Sequence, residues 1–270
     1  MMQALGEMLT YDFMRRALWG VLLIMPLFSL MGTLVVNRGM SFFSDALGHS
    51  AMTGVALGVL LGMSDPTPAM VVFAILFALL MNAIRRSRLS STDTVIGVFS
   101  ACGVALGLVL LSRTSYTGYQ SLLIGDILSI TREQLWILGG TLIGVILLWL
   151  VCFNGFFAAS VSPSLARSRS LPVRWLDDLF VAAVAIVVML AIRWVGLLMI
   201  NAMLILPAAA ARNIARGMRG YTLLSLIFAL FSGLLGLVLS YLNGVATGPT
   251  IVLVSAAVFF GTFLLQKRRV

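Results

Sequence analysis

Residues 41–63 read SFFSDALGHSAMTGVALGVLLGM, a stretch apolar enough to enter a bilayer although it carries Asp45 and His49. It lies in a chain of 270 residues that is 61% hydrophobic and 10% charged, with a mean hydropathy of +1.09. Soluble domains carry about 25% charged residues. Similar apolar runs recur along the chain, close to the roughly 20 residues that a helix needs to cross a membrane. The sequence therefore predicts an all-α, polytopic transmembrane helical bundle.

We expect about eight to nine membrane helices in a single transmembrane domain that covers residues 1–270. The predicted spans are 17–36, 41–63, 68–84, 93–112, 133–156, 177–195, 197–211, 220–242 and 246–266. The span 197–211 is short and contains Pro207, which favours a half-helix or a kinked helix. Residues 119–130 are too few to span and include Asp126, so a helical hairpin or a re-entrant element is expected there.

Basic residues give the chain a net charge of +9 and are concentrated between the apolar runs. The clusters are Arg85, Arg86 and Arg88; Arg167, Arg169 and Arg174; Arg212, Arg216 and Arg219; and Lys267, Arg268 and Arg269. The positive-inside rule places these clusters and the C-terminus in the cytoplasm. Nine crossings would then put the N-terminus outside, which Arg15 and Arg16 oppose. No basic surface is interleaved with stacking aromatics, so nucleic acid is not an expected partner.

Catalytic motifs are absent from the sequence. Lys267 is the only lysine, so the chain has no P-loop for ATP, and neither HExxH nor GxSxG occurs. Cys102 and Cys152 lie in apolar runs without CxxC spacing, which predicts buried free thiols. We therefore expect a non-enzymatic membrane protein with no cofactor of its own, driven by another subunit or by an ion gradient.

Two lines of residues run along the predicted helix 41–63 at a spacing of four. The polar line is Ser41, Asp45, His49 and Thr53, and the line of small residues is Ala46, Ser50, Gly54, Gly58 and Gly62. Small residues let another helix approach closely, either within the chain or from a second copy. Buried acids and imidazoles are costly in a membrane, so the polar line indicates function.

Asp45 and His49 are spaced for a shared metal ion. Side chains at i and i+4 lie about 6 Å apart at Cβ, so one carboxylate oxygen and one ring nitrogen can reach the same ion at about 2.0–2.2 Å. The alternative is a structural Asp–His hydrogen bond. Because the chain has a single histidine, a complete site would need a symmetric dimer that contributes two copies of each residue.

Five stretches in order along the chain carry a family resemblance. They are MSFFSDALGHS at 40–50, TDTVIG at 92–97, IGDILS at 124–129, LILPAAAAR at 204–212 and TGPTIVL at 247–253. Together they resemble the membrane permease of bacterial zinc and manganese ABC importers, closest to the zinc-uptake (ZnuB-like) type. The resemblance covers roughly residues 12–265.

The resemblance implies a type II ABC importer-like fold and a homodimeric permease in the bacterial cytoplasmic membrane. It implies a cytoplasmic ABC ATPase dimer that binds ATP and an extracytoplasmic metal-binding protein, with membrane lipids around the bundle. Asp45 and His49 would handle the transported ion, zinc first and manganese second. Residues 162–172 would form the coupling helix, with the ATPase-coupling residues Pro163, Ala166, Arg167, Arg169, Leu171 and Pro172.

Four further residues are predicted on the translocation path or at a gate: Thr53, Asp126, Asn201 and Pro207. Capping of a half-helix is the structural alternative for Asp126, and a hydrogen bond to a neighbouring helix is the alternative for Asn201. The chain also departs from the family pattern. Ser44 and Ser170 replace usual glycines, Gly48 replaces a usual Ser or Ala, and Asn201 replaces a small hydroxyl residue.

Two other functions are compatible with the polar line. A gradient-driven secondary transporter would use Asp45 and His49 as a proton relay, whereas a non-transporting scaffold would leave them incidental. Zinc accepts tetrahedral nitrogen and oxygen ligands while manganese prefers more oxygens, so the pair alone does not decide between the metals.

Overall fold

The computed structural model describes residues 10–87, 90–113, 125, 127–161 and 163–267, and these contain ten α-helices and no β-strand. The helices are α1 Asp12–Asn37, α2 Phe43–Leu60, α3 Thr67–Arg86, α4 Thr92–Leu111, α5 Arg132–Val161, α6 Pro163–Ser168, α7 Val173–Val195, α8 Leu197–Ile214, α9 Met218–Asn243 and α10 Thr247–Lys267. A 3₁₀ turn covers Ile127–Ser129. The predicted all-α class is confirmed.

Nine of these helices coincide with the nine predicted spans. Within the described ranges, seven are long and apolar enough to cross a membrane: α1, α3, α4, α5, α7, α9 and α10. The other two, α2 and α8, have 18 residues each. Of the predicted re-entrant element, residues 119–124 and Asp126 lie outside the described residues.

Of the two forms predicted for the span with Pro207, the half-helix is wrong. Pro207 lies inside a continuous helix rather than at the end of a half-helix. The helical conformation is instead interrupted at Gly196, which has a φ of +79° and separates α7 from α8. Glycine adopts this conformation without the steric cost that a Cβ adds, so the boundary between the two helices is set by Gly196.

Polar side chains fix the first residues of α4 and α5. Ser91 Oγ accepts a hydrogen bond from the Thr94 backbone N–H at 3.1 Å and caps α4. At α5, the Thr131 N–H donates to Gln134 Oε1 at 2.9 Å, and the Gln134 N–H donates to Thr131 Oγ1 at 3.3 Å. This reciprocal pair is a capping box that satisfies N–H groups left free at the helix start.

The helices form two compact units. The first comprises Met1–Val36, Gly125–Leu147 and Trp194–Val270, with α8, α9 and α10 packed on one another. Helix α1 crosses α8 at Gly32, where an added Cβ would lie 1.9 Å from the Leu204 carbonyl oxygen. It is also joined to α9, because Ser29 Oγ donates to Ser225 Oγ at 2.9 Å. Small residues thus allow close helix packing in this unit.

The second unit comprises Asn37–Ile124 and Leu148–Arg193, and in it α2 packs against both α3 and α4. An added Cβ at Gly54 would lie 2.6 Å from Met70 Cα of α3. On α4, an added Cβ at Gly107 would lie 2.9 Å from the Thr53 backbone nitrogen. The small residues Gly54 and Gly58 therefore serve packing within the chain, since Pro66 covers Gly58 in the same way.

The loop between α2 and α3 is held by Asp65. Its Oδ1 accepts hydrogen bonds from the Thr67 hydroxyl at 2.7 Å, the Thr67 backbone N–H at 3.1 Å and Arg193 Nη1 at 2.8 Å. The Thr67 hydroxyl contributes most to lowering the pKa of Asp65. Desolvation opposes the shift, and the Thr67 N–H and the Arg193 charge add to the lowering. These contacts tie the loop to the end of α7.

Both cysteines are free thiols, as predicted, but their expected burial is wrong. Cys102 is exposed and Cys152 is half-buried. Cys102 belongs to α4 and Cys152 to α5, helices that present most of their apolar side chains to the surroundings rather than to the interior of the chain. An apolar run in a membrane protein need not be buried by protein, because lipid covers its outer face.

Candidate functional site

Asp45 and His49 lie on the first turns of α2 and point to the same side. His49 Nε2 is 3.6 Å from Asp45 Oδ2, which is longer than a hydrogen bond. The side chains remain 34% and 41% exposed for His49 and Asp45 respectively. The geometry therefore does not form the structural Asp–His hydrogen bond considered as an alternative. Both side chains line a cavity.

That cavity has a volume of about 350 Å³ and lies between the first halves of α2 and α4. Its lining residues are Phe42, Asp45, His49, Asp93, Ile96, Gly97, Ser100, Ala101 and Val104. Three of them are ionisable, and Asp93 is the one that the sequence did not single out. It lies in the first turn of α4, inside the TDTVIG stretch.

Asp93 reaches the same cavity because α2 and α4 run parallel. Gly103 of α4 packs at Ser50, and Gly107, one turn further on, packs at Met52 and Thr53. The two helices therefore begin at the same end of the unit, and the first turn of each faces the cavity. A carboxylate in a first helical turn is stabilised by the helix dipole.

The described residues of one copy do not make a complete metal site. Among the described residues, no group of three His, Cys, Asp or Glu side chains lies close enough to hold a metal ion together. A protein metal site of the zinc type uses at least three protein ligands. Within the described part of the chain, Asp45 and His49 are thus a pair that would need further ligands to hold such an ion.

Three of the other predicted path residues, Thr53, Asn201 and Pro207, do not line this cavity. Thr53 is buried, and its hydroxyl donates to the Gly103 carbonyl oxygen at 2.6 Å, which joins α2 to α4. Asn201 is half-buried and Pro207 is buried, and both belong to α8 in the first unit. Asp126 lies outside the described residues. The cavity lining thus includes Asp45 and His49 but not Thr53.

The predicted coupling segment contains the short helix α6, Pro163–Ser168. Ala166 is buried against Ala159 and Val173, with Leu171 partly buried beside them. Arg167 and Arg169 are exposed, as is Pro172. The segment therefore presents its cations to the surroundings and anchors itself through small apolar residues.

Helix α6 ends in a Schellman motif. The Ser170 N–H donates to the Arg167 carbonyl at 2.9 Å, and the Leu171 N–H donates to the Ala166 carbonyl at 3.1 Å. Ser170 occupies the left-handed position of this motif, with a φ of +57°. Glycine is the usual residue there because it has no Cβ. Ser170 is therefore strained at the position where the resemblance expects Gly.

Charged pairs connect the start of α7 to the turn before α2 and to the end of α3. Arg38, in the turn before α2, donates from Nη1 to Asp177 Oδ1 at 2.6 Å and lies over the Phe180 ring at 4.4 Å. Burial lowers the pKa of Arg38, and the Asp177 carboxylate opposes that shift. Next to it, Arg86 Nη2 of α3 donates to Asp178 Oδ1 at 2.6 Å. The helix that follows the coupling segment is thus bonded to the turn that begins α2.

Long apolar helices with a cavity of ionisable side chains among them are the architecture of a polytopic membrane protein of the transporter class. A family model described as "ABC 3 transport family" matches residues 10–266. The chain belongs to this family.

Relatives and a solved structure agree with that membership. The chain is 31% identical to the manganese import system permease protein ScaB of Streptococcus gordonii, over 96% of this chain and 93% of ScaB. It is also 31% identical to the high-affinity zinc uptake system membrane protein ZnuB of Haemophilus influenzae, over 88% of this chain and 92% of ZnuB. The structure of PsaBC from Streptococcus pneumoniae in complex with Fab matches with a TM-score of 0.83 and 30% identity, covering 97% of this chain and 94% of that one.

These findings confirm the family resemblance, the helical fold class and the assignment as a permease rather than an enzyme. The chain is a multi-pass protein of the bacterial cytoplasmic membrane.

Proposed function

We propose that this chain is the permease subunit of an ATP-driven importer of a divalent transition metal, and that Asp45 and His49 handle the ion. The observation that carries the proposal is their shared position on one wall of a cavity within the membrane helices. A carboxylate and an imidazole in such a place are costly unless they have a function. Membership in an ABC transport family supports the part of the proposal that concerns ATP-driven transport.

The proposed site is completed by a second copy of the permease. Two Asp45 and two His49 side chains on a two-fold axis provide two oxygens and two nitrogens, which suits a tetrahedral divalent ion. Each copy alone offers only the pair. The homodimer is therefore part of the proposal, together with a cytoplasmic ATPase dimer that binds ATP and an extracytoplasmic metal-binding protein.

Zinc is the first candidate ion and manganese the second. Two imidazoles and two carboxylates match the ligand types of zinc sites. Asp93, which lines the same cavity, adds a carboxylate oxygen from each copy. Manganese prefers an oxygen-rich shell of higher coordination number, so Asp93 is the specific observation in favour of manganese. Named relatives include permeases of both kinds.

The gradient-driven transporter is the less supported alternative. It would use Asp45 and His49 as a proton relay and would need no ATPase. The exposed cations of the α6 segment, Arg167 and Arg169, have no role in that scheme, whereas an ATPase partner would bind them. Family membership also favours the ATP-driven reading.

The decisive experiment is uptake of labelled zinc and labelled manganese by the full complex in proteoliposomes. We expect His49→Ala to lower the initial rate for the physiological metal at least about tenfold, because a lost ligand costs at least as much as a lost supporting contact. Glu133→Gln, which removes an exposed carboxylate in the first turn of α5, serves as the control.

Two measurements must accompany the rates. Gel filtration should show the same assembly for wild type and His49→Ala, and removal of ATP should stop uptake. Wild-type rates in His49→Ala would overturn the role of the pair, and uptake that persists without ATP would instead favour the gradient-driven alternative.

A further inference from the structure

A second cavity lies in the first unit, where α1 and α5 both begin. Its volume is about 290 Å³, and its lining residues are Asp12, Arg15, Arg16, Trp19, Arg132 and Leu135. Three guanidinium groups and one carboxylate thus surround a space large enough for a small anionic group. None of these residues belongs to the cavity with Asp45 and His49, which lies in the second unit.

Among the described residues, the positive charge in this cavity is only weakly compensated. The carboxylate of Asp12 lies 3.6 Å from Arg15 Nη1, and both side chains are largely exposed, so their mutual attraction is weak. Arg16 Nε is shielded from solvent and has no hydrogen-bond partner among the described residues. A buried N–H without an acceptor is costly. The geometry therefore leaves donors in place for an anion with several acceptor oxygens.

The chemistry of these donors suits a phosphate group. Guanidinium groups bind phosphate through paired N–H···O bonds, and they do so more effectively than point charges such as lysine. A phosphodiester carries one negative charge and two unbridged oxygens, which matches the small excess of cations over carboxylates in the cavity.

The position of the cavity identifies where that phosphate comes from. Both α1 and α5 are membrane spans, and the cavity lies at the first residues of each. Four residues after Arg15 lies Trp19, and four residues after Arg132 lies Trp136, with exposures of 60% and 83%. On each helix, an arginine is thus followed one turn deeper by an outward-facing indole. Tryptophan is enriched at the membrane–water interface, so the arginines lie at the depth of the lipid headgroups.

We propose that this cavity binds the phosphate of an anionic phospholipid headgroup, with Arg15, Arg16 and Arg132 as donors. Trp19 contacts the glycerol and upper acyl region of the same lipid. The lipid joins the start of α1 to the start of α5, two helices separated by almost a hundred residues of chain. This proposal does not depend on which ion the permease transports.

The test measures lipid retention by the purified full-length protein. The protein is exchanged into mixed micelles that contain equal amounts of phosphatidylglycerol and phosphatidylcholine, and the lipids retained are counted by native mass spectrometry. We expect wild type to retain phosphatidylglycerol selectively. The triple variant Arg15→Gln/Arg16→Gln/Arg132→Gln should lose that selectivity by at least about tenfold. The control Arg113→Gln/Arg216→Gln/Arg219→Gln removes the same charge at exposed positions outside the cavity and should keep it.

A second measurement covers the case in which the triple variant does not fold. The thermal stability of wild-type protein is compared in nanodiscs of phosphatidylcholine with and without phosphatidylglycerol, and in phosphatidylcholine nanodiscs with added inorganic phosphate. Stabilisation by phosphatidylglycerol that Arg16→Gln diminishes would support the proposal. Equal stabilisation by inorganic phosphate would assign the cavity to a free anion and overturn it. Equal loss of selectivity in the control, or unchanged lipid retention in the triple variant, would also overturn it.

Discussion

At the scale of single residues, Asp93 is the side chain that the fold adds to the proposed metal pair. We expect Asp93→Asn to lower manganese uptake more than zinc uptake, because manganese depends more on oxygen ligands. The amide keeps the shape of the side chain and removes the charge. The measurement is the ratio of initial manganese and zinc rates in proteoliposomes, with Glu133→Gln as the control.

An unchanged ratio in Asp93→Asn would show that the carboxylate takes no part in choosing the ion. Equal loss for both metals, with normal assembly, would assign Asp93 to transport in general rather than to selectivity.

Ser170 offers a prediction about stability, because its φ of +57° places a Cβ in the left-handed region. That conformation destabilises the folded state of a non-glycine residue by about 1–2 kcal/mol. Glycine avoids this cost, but it loses more conformational entropy on folding, which destabilises the protein by about 0.5–1 kcal/mol. We expect Ser170→Gly to stabilise the protein by about 0.5 kcal/mol and to raise its apparent melting temperature. In the control Ser168→Gly, which lies within α6, the same change should lower it. A lower apparent melting temperature in Ser170→Gly would contradict the inference that Ser170 is strained.

The pairing of Asp45 with His49 could be predicted from the sequence, because a spacing of four residues is enough to place two side chains on one face of a helix. The contribution of Asp93 could not, since it depends on α2 and α4 lying parallel and in register. That register is set by contacts such as Gly103 against Ser50, which involve residues more than fifty positions apart in the chain. Local spacing carries no information about them.

At the scale of helices and loops, the pair Arg38–Asp177 joins the turn before α2 to the start of α7. The Arg38 side chain is only 5% exposed, so it depends on its counterion. We expect Asp177→Asn to destabilise the protein by about 3 kcal/mol, because a buried charge loses its partner. The measurement is the apparent melting temperature of the purified protein.

The neighbouring pair provides a matched control. Asp178→Asn weakens contacts with Arg86 and with the buried Asn82. Asp178 and Arg86 are 33% and 29% exposed, and the amide oxygen of the variant side chain can still accept from Asn82, so a cost of about 1 kcal/mol or less is expected. Equal melting temperatures for Asp177→Asn and Asp178→Asn would show that the buried pair Arg38–Asp177 stabilises the fold no more than the more exposed pair.

Helix existence was easier to predict than helix boundaries. The apolar runs predicted nine helices, each of which is present, because length and hydropathy are local properties. The break between α7 and α8 was expected but the half-helix at Pro207 was not found, since neighbouring helices in a membrane can accommodate a proline. Helix α5 extends to Val161, beyond the predicted end at residue 156, and Ala159 in this extension is buried against Ala166 of α6 and Val173 of α7.

At the scale of the whole molecule, the composition was sufficient to predict a polytopic membrane protein, but the dimer is a proposal about a second copy. The small residues Gly54 and Gly58 were a candidate surface for that copy, and the structure uses them within the chain. In the proposed dimer, the second copy would face the exposed side of the cavity with Asp45 and His49. The contact surface of a dimer depends on how two copies pack together, and the local spacing of residues in one sequence does not determine that packing.

The last prediction concerns the partner that supplies ATP hydrolysis. If the α6 segment docks onto an ATPase, its exposed cations Arg167 and Arg169 contribute to that contact. We expect Arg167→Glu/Arg169→Glu to weaken co-purification of the ATPase at least about tenfold, because reversed charges convert attraction into repulsion across an interface. The variant Arg216→Glu/Arg219→Glu makes the same charge change in the turn between α8 and α9 and in the first turn of α9, a region predicted to lie on the same side of the membrane, and should retain the partner. Equal weakening in both variants would indicate a general charge effect. Unchanged co-purification of the first variant would remove α6 from the docking surface and leave coupling to another cytoplasmic loop.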